Sequence, residues 1–232
     1  MAAGAGTSPR LFSVVLGPAR LHFALGILAN ADTNMNQSNE QAVTLELRHI
    51  GERLTLRRIK TDNGVEELRL TGSLPAHRRG PPLHIHFEED EHVEVVSGTL
   101  SASVDGNSLV IKAGDSAHFP KGSAHRWWND GDEELVLKGV VTPGVDLDRY
   151  LQALFEVLNA GPPNRPPIFY MAHVLYRHRK TQSTLVVPRA VQRILFPIVV
   201  LLGTVLGKYR GTAWPGCPSR CSGAPLASQE YA

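Results

Sequence analysis

Residues 84–98, HIHFEEDEHVEVVSG, combine three histidines and five acidic residues in a stretch that otherwise has the pattern of a β-strand. His84 and His86 are two residues apart, so in a strand both imidazoles project from the same face. Glu91 follows after four residues, and a bend would return its carboxylate to the imidazoles. Two interpretations stay open here: a metal site, or the charged outer face of a surface strand. Solvent-facing positions are predicted for the other acidic residues, Glu88, Glu89, Asp90 and Glu94.

This stretch lies within a run of short strand-like segments that extends over residues 42–142. In Glu52–Ile59, the apolar Leu54 and Leu56 alternate with polar residues, which is typical of a strand with one buried face. Asp62-Asn63-Gly64 and Asp105-Gly106-Asn107 predict tight hairpins. Consecutive strands without helical patterns between them predict a mainly β fold, either an antiparallel sandwich or a jelly-roll barrel. A barrel of this kind encloses a cavity in which inward-facing side chains converge.

A second segment, GDSAHFPKGSAHRWWND at residues 114–130, supplies a further histidine. Pro120 and Gly122 predict a tight turn that returns the chain into the barrel shortly before His125. Two histidines on one strand face, a carboxylate and a third histidine can surround one divalent cation. Imidazole nitrogens with a single carboxylate suit iron, manganese, nickel, copper or zinc better than magnesium or calcium.

The two segments resemble the two motifs of the cupin superfamily. The first motif has the form G-x5-H-x-H-x3,4-E-x6-G and is matched by His84, His86, Glu91 and Gly98, although Arg78 occupies the position of its first glycine and Gly80 lies two residues later. The second has the form G-x5-P-x-G-x2-H-x3-N and is matched at every position by Gly114, Pro120, Gly122, His125 and Asn129. The resemblance covers roughly residues 45–142.

The resemblance implies a double-stranded β-helix, the jelly-roll barrel of the cupins, here with a C-terminal helical extension. It also implies one divalent transition metal, with iron as the first expectation and manganese, nickel, zinc or copper as alternatives. The ligands that it implies are His84, His86, Glu91 and His125. Structural roles are implied for Gly98, Gly122 and Asn129.

The function that this resemblance implies is a metal-dependent cupin acting on a small organic molecule. The leading expectation is an iron-dependent dioxygenase in which Glu91 is both a ligand and the catalytic base. A cupin isomerase and a non-catalytic module for binding or sensing a small molecule are the alternatives, because the same barrel hosts many activities.

The residues around His125 raise further expectations. In a strand, one of Trp127 and Trp128 would point inward with His125, where core packing is the expected role and a cavity wall the alternative. Arg126 is expected to face outward. His118 is a candidate for contact with the metal ligands or the substrate.

Residues 143–210 have helical patterns instead. The first has an apolar stripe that would pack on the barrel, formed by Leu147, Leu151, Leu154, Phe155 and Leu158. A second begins near Pro167, and a hydrophobic segment occupies residues 190–207. The uncharged part of this segment, residues 194–207, would rise only about 21 Å as a helix, which is short for a bilayer core of about 30 Å. Three interpretations stay open: a membrane-embedded or interfacial helix, a helix in a dimer interface or packed on the barrel, and disorder.

The remaining features give weaker constraints. A net charge of +2 gives no signature of a nucleic-acid partner. Residues 1–41 are expected to form a disordered leader or linker, with Met35 as an alternative start and a signal peptide as a weaker option. Residues 211–232, which include Cys217 and Cys221, are expected to form a disordered tail without a zinc site or disulfide. The overall expectation is a cytoplasmic homodimer that contacts a membrane through residues 190–207.

Overall fold

The structure, a computed structural model, describes residues 42–163 and 165–209. The predictions for the leader 1–41 and for the tail 211–232 lie outside the described residues. The mainly β fold is confirmed, since two antiparallel sheets face each other and a helical region follows them.

Strands account for most of the described chain up to residue 142. Their bounds are β1 (Val43–Leu47), β2 (Glu52–Lys60), β3 (Glu66–Leu74), β4 (Arg78–Arg79), β5 (His84–His86), β6 (Asp90–Ser97), β7 (Thr99–Val104), β8 (Asn107–Lys112), β9 (Ser116–Phe119), β10 (Ala124–Asn129) and β11 (Leu135–Thr142). A further strand, β12 (Gln182–Thr184), comes from the C-terminal region.

The strands form two sheets of six strands each within the described residues. One sheet has the order β1-β2-β3-β11-β6-β9, and the other has the order β12-β5-β10-β7-β8, with β4 also paired to β10. Alternation along the strands gives each sheet an apolar inner face. In β2, for example, Leu54 and Leu56 are buried while Arg53 and Arg57 are exposed. The core therefore lies between the two sheets, where the inner faces meet.

Three helices follow the barrel in the described residues: α1 (Leu147–Ala160), α2 (Ile168–Arg177) and α3 (Arg189–Val205). α1 buries Tyr150 and Phe155, and α3 packs against α2. The hydrophobic segment 190–207 is thus helical through Val205. In residues 42–163 and 165–209, no helix combines the length and the apolar character needed to cross a membrane.

The C-terminal region is not wholly helical, contrary to the prediction. Residues Gln182–Thr184 form β12, which pairs antiparallel with β5 in the register Gln182↔His86 and Thr184↔His84. The strand that carries two of the candidate ligands is therefore held on one side by β10 and on the other side by a segment almost one hundred residues later. No local pattern in the sequence predicts the pairing of β12 with β5.

Candidate metal centre

The four candidate ligands reach one place from both sheets. His84 and His86 lie on β5, and His125 lies on β10 directly opposite His84 in the antiparallel register. Glu91 lies on β6 of the facing sheet, on the inner face with Val93. The period of two residues along each strand explains the convergence, because every one of these positions is inward-facing.

The three imidazoles form a compact group, in which one ring nitrogen of each lies within 4.8 Å of the others. Nε2 of His84 lies 3.1 Å from Nε2 of His86. Oε2 of Glu91 lies 3.7 Å from Nε2 of His86 and 3.6 Å from Nε2 of His125. His86 and His125 are 3% and 0% exposed, so the group is shielded from water. The structure thus brings together all four residues, while their role as ligands stays a prediction.

Each histidine has an oxygen atom near Nδ1. Nδ1 of His84 lies 2.8 Å from the carbonyl oxygen of Pro82, and Nδ1 of His125 lies 3.3 Å from that of Ser123. Nδ1 of His86 lies 3.4 Å from a carboxylate oxygen of Glu89. For His84 and His125, this acceptor favours the tautomer with its proton on Nδ1, which leaves the Nε2 lone pair available. Nδ1 of His86 makes no hydrogen bond with the described residues and has only the carboxylate of Glu89 nearby. All three Nε2 atoms face the centre of the group.

The electrostatics favour a neutral imidazole at His84 beside an ionised carboxylate at Glu91. Burial, with smaller contributions from His125 and His86, lowers the pKa of His84 well below its usual value. Burial alone would raise the pKa of Glu91, but contact with His125 and the nearby imidazoles reverses this effect and lowers the pKa to about 2. Neutral imidazole and ionised carboxylate are the protonation states that bind metal ions.

These residues fit a divalent transition metal. With metal–nitrogen bonds of about 2.1 Å, neighbouring ligand atoms around one ion stand about 3.0–3.4 Å apart, close to the distances observed here. Nε2 of His125 is fully buried and has no hydrogen-bond partner among the described residues, which is costly unless the atom serves as a ligand. A set of three nitrogen donors and one carboxylate also binds a transition metal in preference to magnesium or calcium.

Glu89 corrects the prediction that it faces the solvent, because it is 0% exposed. Its Oε1 accepts hydrogen bonds from the backbone N–H groups of Val145 (3.0 Å) and Asp146 (3.3 Å). Its Oε2 accepts a hydrogen bond from Nε2 of Gln182 and lies beside His86. Glu89 therefore joins the ligand strand to β12 and to the start of the helical region. Alternation could not find it, since it occupies the turn between two strands, and its only local signal is its position three residues after His86.

Two of the three motif positions that were expected to be structural, Asn129 and Gly98, have clear local reasons. Nδ2 of Asn129 donates to the carbonyl oxygens of Leu74 (3.0 Å), Pro75 (3.1 Å) and Glu133 (2.8 Å). Gly98 has φ +79°, and a Cβ atom there would lie 2.7 Å from a backbone carbonyl oxygen. Both residues fix the loops at the end of the barrel that is remote from the histidines.

Gly80 explains why the first motif departs from its usual spacing. A Cβ atom at Gly80 would lie 2.7 Å from the carbonyl oxygen of Trp127 and 2.8 Å from its ring. Glycine is therefore needed at position 80, where the chain crosses a large aromatic residue, whereas Arg78 two residues earlier is exposed.

The neighbours of His125 alternate as predicted. Trp127 is buried in the core and also lines the cavity described below, whereas Arg126 is exposed and lies over the ring of Trp128. The prediction that His118 contacts the metal ligands is wrong. His118 lies on the outer face of β9, where it stacks on His92 with ring centroids 4.0 Å apart.

A cavity of about 680 Å³ opens from the candidate ligands into the barrel. His84, His86 and Glu91 line one part of it, and apolar side chains from both sheets line most of the rest. All three helices contribute to its wall, among them Leu154 of α1, Leu175 of α2 and Phe196 of α3. The helical region, which is predicted to be an extension packed on the barrel, thus also forms part of the wall of the cavity.

Residues 71–142, which contain all four candidate ligands, match the family model described as Cupin domain. This part of the barrel is a cupin domain. Cupins commonly bind a metal, and the group formed by His84, His86 and His125 is consistent with this property of the family. The match does not identify the metal.

Two curated relatives of the cupin domain carry oxidoreductase names. One is the oxidoreductase iacF of Pestalotiopsis fici, which is 38% identical over 79 residues, or 33% of this chain and 39% of that protein. The other is the probable oxidoreductase virH of Hypocrea virens, 34% identical over 71 residues, or 29% of this chain and 32% of that protein. The matches thus span well under half the length of these relatives.

Solved cupin structures also resemble this chain. An RmlC-like cupin from Shewanella frigidimarina is 17% identical, and the match covers 50% of this chain and 96% of that one with a TM-score of 0.39.

Proposed function

We propose that this chain is an iron-dependent dioxygenase acting on a small organic molecule. The observation that carries the proposal is the convergence of three imidazoles and one carboxylate at one end of a mostly apolar cavity. The oxidoreductase names of the two relatives support the same class of chemistry.

The residues have distinct roles in this proposal. His84, His86 and His125 would hold the ion through Nε2, and Glu91 would supply its negative charge. Iron bound there would supply the redox chemistry that dioxygen needs. The apolar wall would exclude water and orient the substrate with its oxygen atoms toward the ligands. The resemblance to cupins also implies that Glu91 is a base, but a carboxylate with a pKa of about 2 is a weak general base at neutral pH, so ligation is the role that we retain.

Metal analysis of the purified protein tests the first part of the proposal. We expect about one iron atom per chain in the wild type, and loss of that iron in His84→Ala and His125→Ala. His118→Ala is the matched control, since it removes an exposed histidine outside the site. A wild-type protein without stoichiometric metal, or a His84→Ala variant that keeps its metal, would contradict the proposal.

Oxygen uptake with a panel of catechols, flavonols and diketones tests the second part. We expect consumption of dioxygen by the iron-loaded wild type and background rates with Glu91→Gln. Conversion of a substrate without oxygen uptake would instead support a cupin isomerase. Saturable binding of panel compounds without any turnover would support a binding or sensing module.

We further propose that α3 contacts an anionic lipid surface. Its exposed apolar face includes Ile194, Ile198, Leu201 and Val205, which are 50–74% exposed. Arg189 and Arg193 at its first turns and Lys208 beyond its end are exposed, and the sequence has no acidic residue between Glu156 and Glu230. An apolar face with basic flanks is the composition of helices that lie in the membrane interface. The expected homodimer stays a prediction, and burial of this face between two copies is the alternative.

A further inference from the structure

The cavity contains a second polar position that the proposed chemistry does not use. Glu52, the first residue of β2, is 5% exposed and lines the cavity with Leu54 from the same inner face. Its carboxyl group makes no hydrogen bond or ion pair with any of the described residues. A buried polar group without a partner is costly, and a group of this kind that faces a cavity is suited to a ligand.

Strand register places Glu52 far from the candidate metal ligands. Glu91 pairs with Val141, Val141 pairs with Leu68, and Leu68 pairs with Arg58, so these four residues form one row across the sheet. Glu52 lies six residues from Arg58 along β2. At about 3.3 Å per residue, this separation is roughly 20 Å along the strand. The cavity therefore extends from the histidine group toward the opposite end of the barrel.

The other polar side chains along the cavity have different surroundings. The hydroxyl groups of Tyr150 and Thr184 lie 3.2 Å apart and satisfy each other, and Thr184 is paired with His84 at the metal end. Arg165 lines the cavity but is exposed to solvent. Among the described residues that line the cavity, Glu52 is thus the buried carboxyl group at the end remote from the metal ligands.

We propose that the cavity binds an elongated, largely apolar molecule that carries an oxygen group at each end, one at the metal ligands and one at Glu52. The assignment of the first end rests on the proposed function, whereas the second end depends on Glu52 alone. The cavity volume limits the size. About 20 non-hydrogen atoms at about 30 Å³ each fill about 600 Å³, which fits the volume of about 680 Å³.

The protonation state of Glu52 agrees with contact to a neutral oxygen. Burial raises the pKa of Glu52 to about 7. A large fraction of the molecules therefore carry a neutral carboxylic acid at neutral pH, which can donate to a carbonyl or hydroxyl oxygen and accept from a hydroxyl group.

Two fatty acids of equal length provide the test. Hexadecanoic acid and 16-hydroxyhexadecanoic acid both carry a carboxylate for the metal end, but only the second has an oxygen at the far end. An extended chain advances about 1.2 Å per bond, so sixteen carbons span about 18 Å and the oxygens at the two ends extend this to about 20 Å. We would measure the affinity of each acid by displacement of a fluorescent fatty-acid analogue, using full-length protein with and without added iron.

The wild type should bind the hydroxylated acid about five- to tenfold more tightly, as expected for one additional buried hydrogen bond. Glu52→Leu should lose this preference, whereas Glu52→Gln should keep most of it, since glutamine also donates and accepts. Equal affinities of the wild type for the two acids, or an unchanged preference in Glu52→Leu, would overturn the proposal, as would failure to bind either acid. The wild-type comparison is repeated without iron, which separates the two proposals. If the protein holds no metal and takes up no oxygen but still prefers the hydroxylated acid, the proposed function is refuted and the assignment of Glu52 stands.

Discussion

Glu89→Gln is the substitution that most directly tests how the fold supports the metal centre. The change keeps the size of the side chain and removes its charge. Wild-type Glu89 accepts hydrogen bonds from the backbone N–H groups of Val145 and Asp146 and from Gln182, and it lies 3.4 Å from Nδ1 of His86. A glutamine can still accept at one atom, but its own NH₂ group would face a donor on the other side.

The magnitude follows from these contacts. Hydrogen bonds to a charged acceptor contribute about 1.5–3 kcal/mol each, against about 0.5–1.5 kcal/mol for neutral ones. Reducing the two backbone bonds from charged to neutral strength should lower the free energy of unfolding by roughly 2–3 kcal/mol, since Gln182 can rotate its amide so that Oε1, which has no partner among the described residues, accepts from the new NH₂ group. The substitution also removes the negative charge 3.4 Å from Nδ1 of His86, and loss of such a supporting carboxylate reduces metal affinity about 10- to 100-fold.

Two measurements check this expectation. Urea unfolding of the metal-free protein gives the change in stability, and competition with a chromophoric chelator for ferrous iron under anaerobic conditions gives the metal affinity. Glu88→Gln is the matched control, because Glu88 is the exposed neighbouring glutamate. If Glu89→Gln matches Glu88→Gln in both stability and metal affinity, the assignment of Glu89 as the support of His86 is refuted.

Four further predictions concern other parts of the molecule. Asn129→Ala removes four side-chain hydrogen bonds, to Leu74, Pro75, Glu133 and Gly131, and should lower the free energy of unfolding by about 2–4 kcal/mol in urea titrations; a loss below about 0.5 kcal/mol would contradict the structural role. Burial raises the pKa of Glu52 from 4.5 to about 7, so its ionisation destabilises the fold as pH rises through this window, and Glu52→Gln should gain about 3 kcal/mol relative to the wild type between pH 4 and pH 8; a constant difference would refute this. Gly80→Ala should reduce the melting temperature more than Gly64→Ala, even though Gly64 has a positive φ, since only the first places a methyl group against a tryptophan backbone; equal effects would count against the close contact. Ile198→Glu should abolish sedimentation with anionic phospholipid vesicles and leave the oligomeric mass unchanged, whereas a halved mass would favour the dimer interface instead.

The sequence predicts the inner faces of the barrel well, because alternation is a local property. His84 and His86 share a face, Arg126 points away from His125, and the apolar residues of β2 are buried, all as the period of two requires. The motif spacing also brings Glu91 to the histidines. These predictions need only the direction of each side chain along its own strand.

Glu89 and Glu52 show where local reasoning fails. Glu89 lies in a turn, where alternation does not apply, and its burial depends on donors from residues far along the chain. Glu52 lies two residues before Leu54 on β2, so the alternation along the strand places its side chain on the same inner face as Leu54 and Leu56. A carboxyl group alone would favour a position in solvent, so the burial of Glu52 has to come from its surroundings. Burial without a partner follows only from a cavity whose extent depends on long-range packing.

The C-terminal region shapes the cavity beside the candidate metal ligands, although its described residues contribute no candidate ligand. β12 fixes the edge of the ligand strand, and Leu154, Leu175 and Phe196 close the cavity from three helices. The motif residues could be kept unchanged while these apolar side chains varied, and the same ligand group would then face a cavity of different length and shape. Truncation before β12 would consequently disturb β5, which carries His84 and His86, and would also remove any membrane contact of α3. Point substitutions on the exposed face of α3 test the membrane contact alone, because they leave both the pairing of β12 with β5 and the cavity wall in place.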